Sequence, residues 1–383
     1  MKKILFVVDE NRRGGVSVAL TDVIHALERE ACEMDVLVLH DQGEMLHDLP
    51  CNVIYGTPFF EAIDYNFKQV LQKKDFGLLL KKVQIVFGLK TGWIKQKIRK
   101  ERRKILTKEY DVEVAFKDGF PAIFTACGDV KKKVHWLHSE YKKVNSNSKY
   151  ESLFQEILPK FDTIIAVSKG VEEQFNGIYH LKEKTMVIPN IVWEDAIREK
   201  ADQEKVEFST EKINVIMVGR CHPDKGYMRC LEVIKEMCEE GELKDILFHI
   251  VGDGPEKEQL QEYVTQENLQ EYVEMHGAKT NPYCYMKAAD CMLLPSVNES
   301  FGLVIVEAEI VGIPVVATEN AATGELIAQG ETGLIVENSK QGIREGIKQI
   351  QNRGQIEQFR ENLKDYSYNN LESIAKIKEI LEV

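Results

Sequence analysis

Proline and glycine are scarce in this sequence, with 10 and 25 residues among 383, which excludes a collagen-like or low-complexity chain. No stretch of 18 uncharged apolar residues occurs, so no membrane-spanning helix is expected. The eight cysteines, at 32, 51, 127, 221, 230, 238, 284 and 291, form no Cys-x-x-Cys pair and no Cys/His cluster at zinc-ligand spacing. They read as reduced and mostly buried, and no metal site is expected. The opening apolar run, residues 4–8, stops at Asp9, too short for the core of a signal peptide. The cytoplasm is the expected compartment.

What is present is a soluble globular composition, with 44% hydrophobic and 29% charged residues, long enough for two domains. The net charge of −12 speaks against nucleic acid as a partner of the whole chain. The charge is uneven: residues 1–190 hold 30 basic and 26 acidic side chains, residues 191–383 hold 20 and 36. The two halves should present different surfaces to different partners.

Strand-like runs at 4–8, 35–39, 51–54, 112–115, 133–136, 163–167 and 186–188 alternate with helix-compatible stretches. The alternation restarts at 213–218, 246–251, 273–276, 291–294, 314–317 and 334–336. Two parallel α/β sheets follow. The expected division is a first domain over 1–192, a polar linker over 193–212, a second domain over 213–365, and a terminal helix within 366–383 that crosses back to the first domain.

Residues 68–108 break the alternation, carrying 14 Lys or Arg against 2 acidic side chains, interleaved with Phe87, Trp93, Ile94 and other apolar residues. Two readings remain open: a helix lying on an anionic membrane, or a helical insertion with a solvated basic face.

The chemistry-bearing residues cluster after strands, where open α/β sheets bind ligands. Glu299 falls in the loop after 291–294 and Glu307 on the following helix; Gly302 lets backbone approach a ligand, and the helix start offers N–H groups to phosphate. Two carboxylates flanking such a site suit a ligand with phosphate between polyhydroxylated ends, although Glu307 alone also fits a solvated helix face. After 213–218 come Gly219-Arg220 and His222-Pro223-Asp224-Lys225-Gly226. There an Arg and a Lys either meet one diphosphate or make surface ion pairs. Gly252-Asp253-Gly254-Pro255 is a tight turn after a strand. Gly14-Gly15 follows the first strand without the Gly-x-Gly-x-x-Gly spacing of a dinucleotide site. His135, Trp136 and His138 end another strand.

Taken in order, these segments resemble the family 4 glycosyltransferases. The resemblance runs through Gly219-Arg220, Asp224-Lys225-Gly226, Gly252-Asp253-Gly254-Pro255, Glu299-Ser300-Phe301-Gly302, Glu307-Ala308, 312–318 and 324–327, and more thinly through Gly14-Gly15, His138, Val167-Ser168 and Pro189-Asn190. It implies a GT-B fold, two facing Rossmann-like domains with a central cleft. It further implies a retaining, metal-independent hexosyltransferase that needs no cofactor and moves a sugar from a nucleotide-diphosphate donor, a UDP-sugar, to a glycan or lipid-linked acceptor in bacterial surface-polysaccharide synthesis.

By the same resemblance Arg220 and Lys225 neutralise the leaving diphosphate, Glu299 binds the donor sugar, and His138 orients it. Gly15, Gly219, Gly252, Gly254, Ser300, Phe301, Gly302, Leu303 and Glu307 form the rest of the donor site, Glu307 on the ribose. No Asp-x-Asp pair accompanies the phosphate site. Two departures from the family pattern are Ile191-Val192-Trp193 after Asn190, where Gly-Val-Asp is common, and the charged Glu309. The rival readings are a nucleotide-sugar epimerase or hydrolase on the same fold, and a catalytically silent binding subunit; the intact Arg220, Lys225, Glu299 and Glu307 argue against the latter. A peripheral position at the inner face of the membrane follows if 68–108 binds anionic lipid.

Overall fold

A computed structural model describes residues 1–9, 14–40, 49–63, 65–141 and 151–383. The chain forms two compact units, Met1–Ile191 with Leu371–Val383, and Val192–Asn370. Each is a parallel sheet covered by helices.

The first unit has strands β1 (Lys2–Val8), β2 (Cys32–Val38), β3 (Asn52–Tyr55), β4 (Val112–Ala115), β5 (Lys132–Leu137), β6 (Thr163–Ala166) and β7 (Thr185–Val187), in the order β3-β2-β1-β4-β5-β6-β7. β2 begins three residues before the apolar run that signals it. In a parallel ladder the polar lead-in pairs through its backbone, here Lys2 with Cys32 and Lys3 with Glu33, whatever its side chains.

The second unit has β8 (Ile213–Val218), β9 (Ile246–Val251), β10 (Val273–Gly277), β11 (Cys291–Leu294), β12 (Val315–Thr318) and β13 (Gly333–Val336), in the order β10-β9-β8-β11-β12-β13. The uninterrupted apolar run of β8 serves both faces of the sheet. Val215 and Met217 enter a core with Tyr227, Leu231 and Phe248; Ile216 and Val218 enter a second with Met292, Ile305 and Ala308. Each such fully buried Leu or Ile contributes roughly 1.5–3 kcal/mol.

Residues 193–212 are not a free linker. Helix Glu194–Ala201 packs on the helices Tyr283–Ala288 and Leu303–Ile310 of the second unit, because Ile197 and Ala201, one turn apart, give it an apolar stripe among its charges. Residues 366–370 also stay with that unit: Arg198 donates to the Tyr366 carbonyl at 2.9 Å, and Asn370 and Val192 exchange hydrogen bonds of 2.7 and 3.0 Å. Helix Leu371–Leu381 belongs to the first unit, where Lys378 pairs with Glu30 at 2.7 Å.

The basic segment folds as helices Phe67–Gln72, Phe76–Thr91 and Ile94–Ile105. Asp75 caps the second by accepting from Leu78 N–H at 3.0 Å. Part of the positive charge is structural. Buried Glu101 accepts from Thr57 Oγ1 at 2.8 Å and pairs with Lys97 and Lys104 at 3.0 and 2.9 Å; Arg102 meets Glu113 at 2.6 Å. Among the described residues no helix is long and apolar enough to cross a membrane.

Candidate active site

In the second sheet the chain moves outward from β8 to β9 and β10, then returns to place β11 on the other side of β8. The carboxyl ends of β8 and β11 therefore diverge at a topological switch, the place where such sheets hold ligands. Gly219, Arg220 and Lys225 leave the first of these ends; Glu299, Ser300, Phe301 and Gly302 leave the second.

Two loops are tied together there. Lys225 Nζ donates to Glu299 Oε2 at 2.5 Å, and Ser296 Oγ donates to the same oxygen at 3.4 Å. Val297 N–H and Asn298 Nδ2 bond the Asp224 carbonyl and carboxylate at 2.7 and 3.0 Å. Gly226 makes the approach possible. Its φ is +66°, and a Cβ there would lie 2.1 Å from the Pro295 carbonyl oxygen, which instead accepts a two-pronged hydrogen bond from Arg229 at 3.1 and 2.7 Å. Gly252 is required by contact, since its Cβ would lie 1.8 Å from the Gly219 carbonyl oxygen. The loops carrying Gly219 and Gly254 are joined by Cys221 N–H donating to the Asp253 carbonyl at 2.9 Å. Arg220 is exposed and makes no hydrogen bond or ion pair among the described residues.

Gly302 begins helix Leu303–Ile310 in a left-handed conformation, without a side-chain cap. Glu307, half-buried on that helix, accepts from Tyr283 Oη at 3.1 Å. It is therefore held by a neighbouring helix as well as its own. Glu309 is fully buried, accepts from Thr332 Oγ1 at 2.9 Å, and is pushed up to about 7 by burial.

In the first unit His138 follows β5. Its ring stacks near Trp136, with centroids 6.1 Å apart, and tilts on Phe116 at 4.8 Å. Burial lowers it to about 3, so it is neutral, and its buried Nε2 has no hydrogen-bond partner among the described residues. Next to it Asp118 accepts from Tyr141 Oη and lies 3.2 Å from His135 Nε2. Although burial opposes its charge, His135 and Tyr141 hold this carboxyl below its usual range. Gly15 is the first residue of helix Gly15–Leu27, and residues 10–13 before it lie outside those described.

The structure thus gathers Gly219, Arg220, Lys225, Gly252, Gly254, Glu299, Ser300, Phe301, Gly302, Leu303 and Glu307 in one unit, and places His138 and Gly15 in the other. Sequence reasoning missed Arg229, Tyr283, Asp118 and Tyr141. Arg229 and Tyr283 act on residues 66 and 24 positions away, and no local pattern marks them.

A family model for glycosyl transferases group 1 matches residues 198–370, and one for glycosyltransferase family 4 matches 13–195. The chain belongs to glycosyltransferase family 4. It is similar to the 2-deoxystreptamine N-acetyl-D-glucosaminyltransferase of Niallia circulans, 32% identical over 126 residues that cover 32% of each chain. It is also similar to the N-acetylgalactosamine-N,N'-diacetylbacillosaminyl-diphospho-undecaprenol 4-alpha-N-acetylgalactosaminyltransferase of Campylobacter jejuni, 27% identical over 212 residues, 54% of this chain and 56% of the relative. The match thus spans about a third and about half of the length of these curated relatives. Among solved structures, Anabaena HepE in complex with UDP and glucose superposes over 100% of both chains with a TM-score of 0.72 at 20% identity, a likeness of fold. The two Rossmann-like sheets are those of GT-B glycosyltransferases.

Proposed function

We propose that this protein transfers a sugar, with retention of anomeric configuration, from a UDP-sugar to a lipid-linked glycan acceptor in surface-polysaccharide synthesis, without a metal ion at the diphosphate. The observation that carries the reading is Lys225, in the loop after β8, bonded to the carboxylate of Glu299 across the switch point, with the exposed Arg220 in the same loop. In transfer, the bond from the anomeric carbon to the donor phosphate oxygen breaks with its electron pair going to the diphosphate. The acceptor hydroxyl oxygen forms the new bond, and its proton passes to the departing phosphate oxygen. Negative charge grows on the diphosphate, and two cations a few ångströms away stabilise it most at that moment. At about 4 Å and an effective dielectric near 20, each contributes on the order of 4 kcal/mol before desolvation.

Glu307, steadied by Tyr283, accepts from the ribose hydroxyls. Glu299 accepts from the donor sugar once the diphosphate takes Lys225 from it. His138 is neutral, and its Nε2, which has no hydrogen-bond partner among the described residues, serves a sugar hydroxyl. An epimerase or hydrolase would turn over the donor with no acceptor present. A screen of nucleotide-sugars, reading nucleoside diphosphate release with and without lipid-linked acceptors, tests the proposal. Release that depends on acceptor supports it, and acceptor-independent turnover overturns it.

The first unit has a surface suited to a lipid-borne acceptor. Phe76, Leu80, Val83 and Phe87 form one exposed row along helix Phe76–Thr91, with Phe76 73% and Phe87 59% exposed. A groove of about 830 Å³, lined by Val83, Phe87, Trp93 and Arg99 among others, runs beside it. Arg99, Lys100 and Arg103 are exposed on the next helix, while the acidic residues of the segment are a helix cap, Asp75, and the buried Glu101. An apolar row beside cations that form no ion pair among the described residues matches the headgroup boundary of an anionic bilayer at the inner face of the cell membrane. The diphospho-undecaprenol in the Campylobacter relative's name agrees with such an acceptor.

A further inference from the structure

We propose that His249, Glu274 and His276 bind one divalent transition-metal ion of the zinc type, at the open edge of the second sheet. No part of the donor site uses these residues. The expectation of no metal rests on Cys and His spacing along the chain, and the ligands here come instead from two neighbouring strands.

Among the described residues β10 is an edge strand paired only with β9, and the register sets Glu274 directly opposite His249. His276 lies two residues beyond Glu274, at a β-bulge between Met275 and Gly277 where strict alternation breaks, and its ring is brought to the other two side chains all the same. His249 Nδ1 is 3.0 Å from His276 Nε2, and Glu274 Oε2 is 3.6 Å from each of these nitrogens. Ligands at zinc's usual bond lengths in a tetrahedron stand about 3.4 Å apart. The three atoms therefore span one face of a coordination tetrahedron with only small adjustments.

The tautomer of His249 is fixed by its surroundings. Asn214 Nδ2 donates to the Ser209 and Lys212 carbonyls at 2.9 and 3.2 Å, which turns its Oδ1 toward His249 Nε2, 3.1 Å away. A carbonyl oxygen only accepts, so Nε2 carries the hydrogen and the Nδ1 lone pair points at the other two ligand atoms. A buried ligand imidazole held by an outer hydrogen bond is the usual support of a metal site. The ring is held further by Phe208, stacked on it at 3.8 Å and 12°, while Tyr285 lies 5.5 Å from the His276 ring.

Two imidazoles and one carboxylate favour zinc over magnesium or calcium, which prefer oxygen. Glu274 is half exposed, which leaves the fourth position to water. Bound there, the ion clamps the edge strand β10 to β9 and stabilises the second unit by mass action. The three ligands are not among the proposed donor residues, although Gly277, next to His276, accepts from the donor-loop Gly252 N–H at 2.9 Å; the role inferred for the ion is to hold the strand pair.

The test is a titration of the full-length, metal-stripped protein with Co2+, followed by Zn2+. One equivalent should give the visible bands of tetrahedral Co2+ without a thiolate-to-cobalt charge-transfer band, and Zn2+ should displace it and raise the thermal midpoint. His276→Ala should abolish that equivalent. Glu274→Gln, a change at a half-exposed position that leaves both rings in place, should weaken Co2+ binding at least tenfold and remove the midpoint response. A simple hydrogen-bonded histidine pair would bind no such equivalent. Absence of binding, a thiolate band, or equal binding by wild type and Glu274→Gln would overturn the proposal.

Discussion

The ammonium of Lys225 lies 2.5 Å from the Glu299 carboxylate, so the cation proposed to meet the diphosphate is paired with a protein anion in this structure. The two side chains are 22% and 14% exposed, enough for the pair to open without the penalty of a deeply buried one. On the proposed function an anionic donor competes with Glu299 for Lys225, and sugar hydroxyls replace the hydrogen bond that Glu299 loses.

Lys225→Ala and Arg220→Ala should each lower turnover at least tenfold, because both charges matter most as the diphosphate departs. Exposed or partly exposed pairs contribute about 1 kcal/mol or less, so thermal midpoints should move by under about 4 °C. Steady-state nucleoside diphosphate release checks this; in the same assay, run well below the thermal midpoint of the metal-stripped protein, excess chelator should leave turnover largely unchanged, even though it removes the ion inferred at His249, Glu274 and His276.

Gly226→Ala should do the opposite, acting on stability first. The new Cβ meets the Pro295 carbonyl in a left-handed backbone position, at a cost of at least about 2 kcal/mol in denaturant unfolding, and the loop carrying Lys225 is displaced with it.

Glu309 gives a pH signature. Its folded value is raised to about 7 by burial, so the folded state holds the proton more tightly than the unfolded one. The stability this contributes is complete below the ordinary glutamate value and is lost as pH rises through about 7, a fall of up to about 3 kcal/mol. Glu309→Gln keeps an acceptor for Thr332 and should flatten the unfolding free energy between pH 5 and 8.5 relative to wild type. An unchanged slope would count against a neutral Glu309.

What was legible in the sequence was whatever is local. The unbroken run of β8 shows a strand buried on both faces, and Gly219-Arg220 and Asp224-Lys225-Gly226 stand right after it. What was not legible depends on the fold. Lys225 and Glu299 are 74 residues apart, and no spacing shows that one bonds the other. Helix Glu194–Ala201 was hidden by its charges, since two apolar residues suffice when neighbours supply the rest of the core. Arg102 is one of 14 basic residues in 68–108 and nothing local sets it apart, yet Glu113 from β4 makes it part of the interior.

That difference decides how the membrane surface is tested. Lys97, Arg102 and Lys104 hold Glu101 and Glu113 and must be left intact. Arg99, Lys100 and Arg103 replaced together by Gln should weaken binding to anionic liposomes by roughly a hundredfold at low salt, at about 1 kcal/mol per charge. Phe87→Ser with Phe76→Ser should weaken it further by removing the apolar row. Co-sedimentation reads the result, and equal recovery with neutral liposomes would return the segment to a solvated face.

The central claim, that the switch point of the second sheet is the donor site, is tested most directly by calorimetric titration of UDP into the full-length protein and its Arg220→Ala, Lys225→Ala and Glu307→Gln variants, each confirmed folded by its thermal midpoint. Wild type should bind one UDP, with the dissociation constant rising at least tenfold in each variant, for the two cations through lost diphosphate contacts and for Glu307→Gln through the ribose. Wild-type protein that binds no UDP, or variants that bind it as tightly as wild type, would contradict the claim.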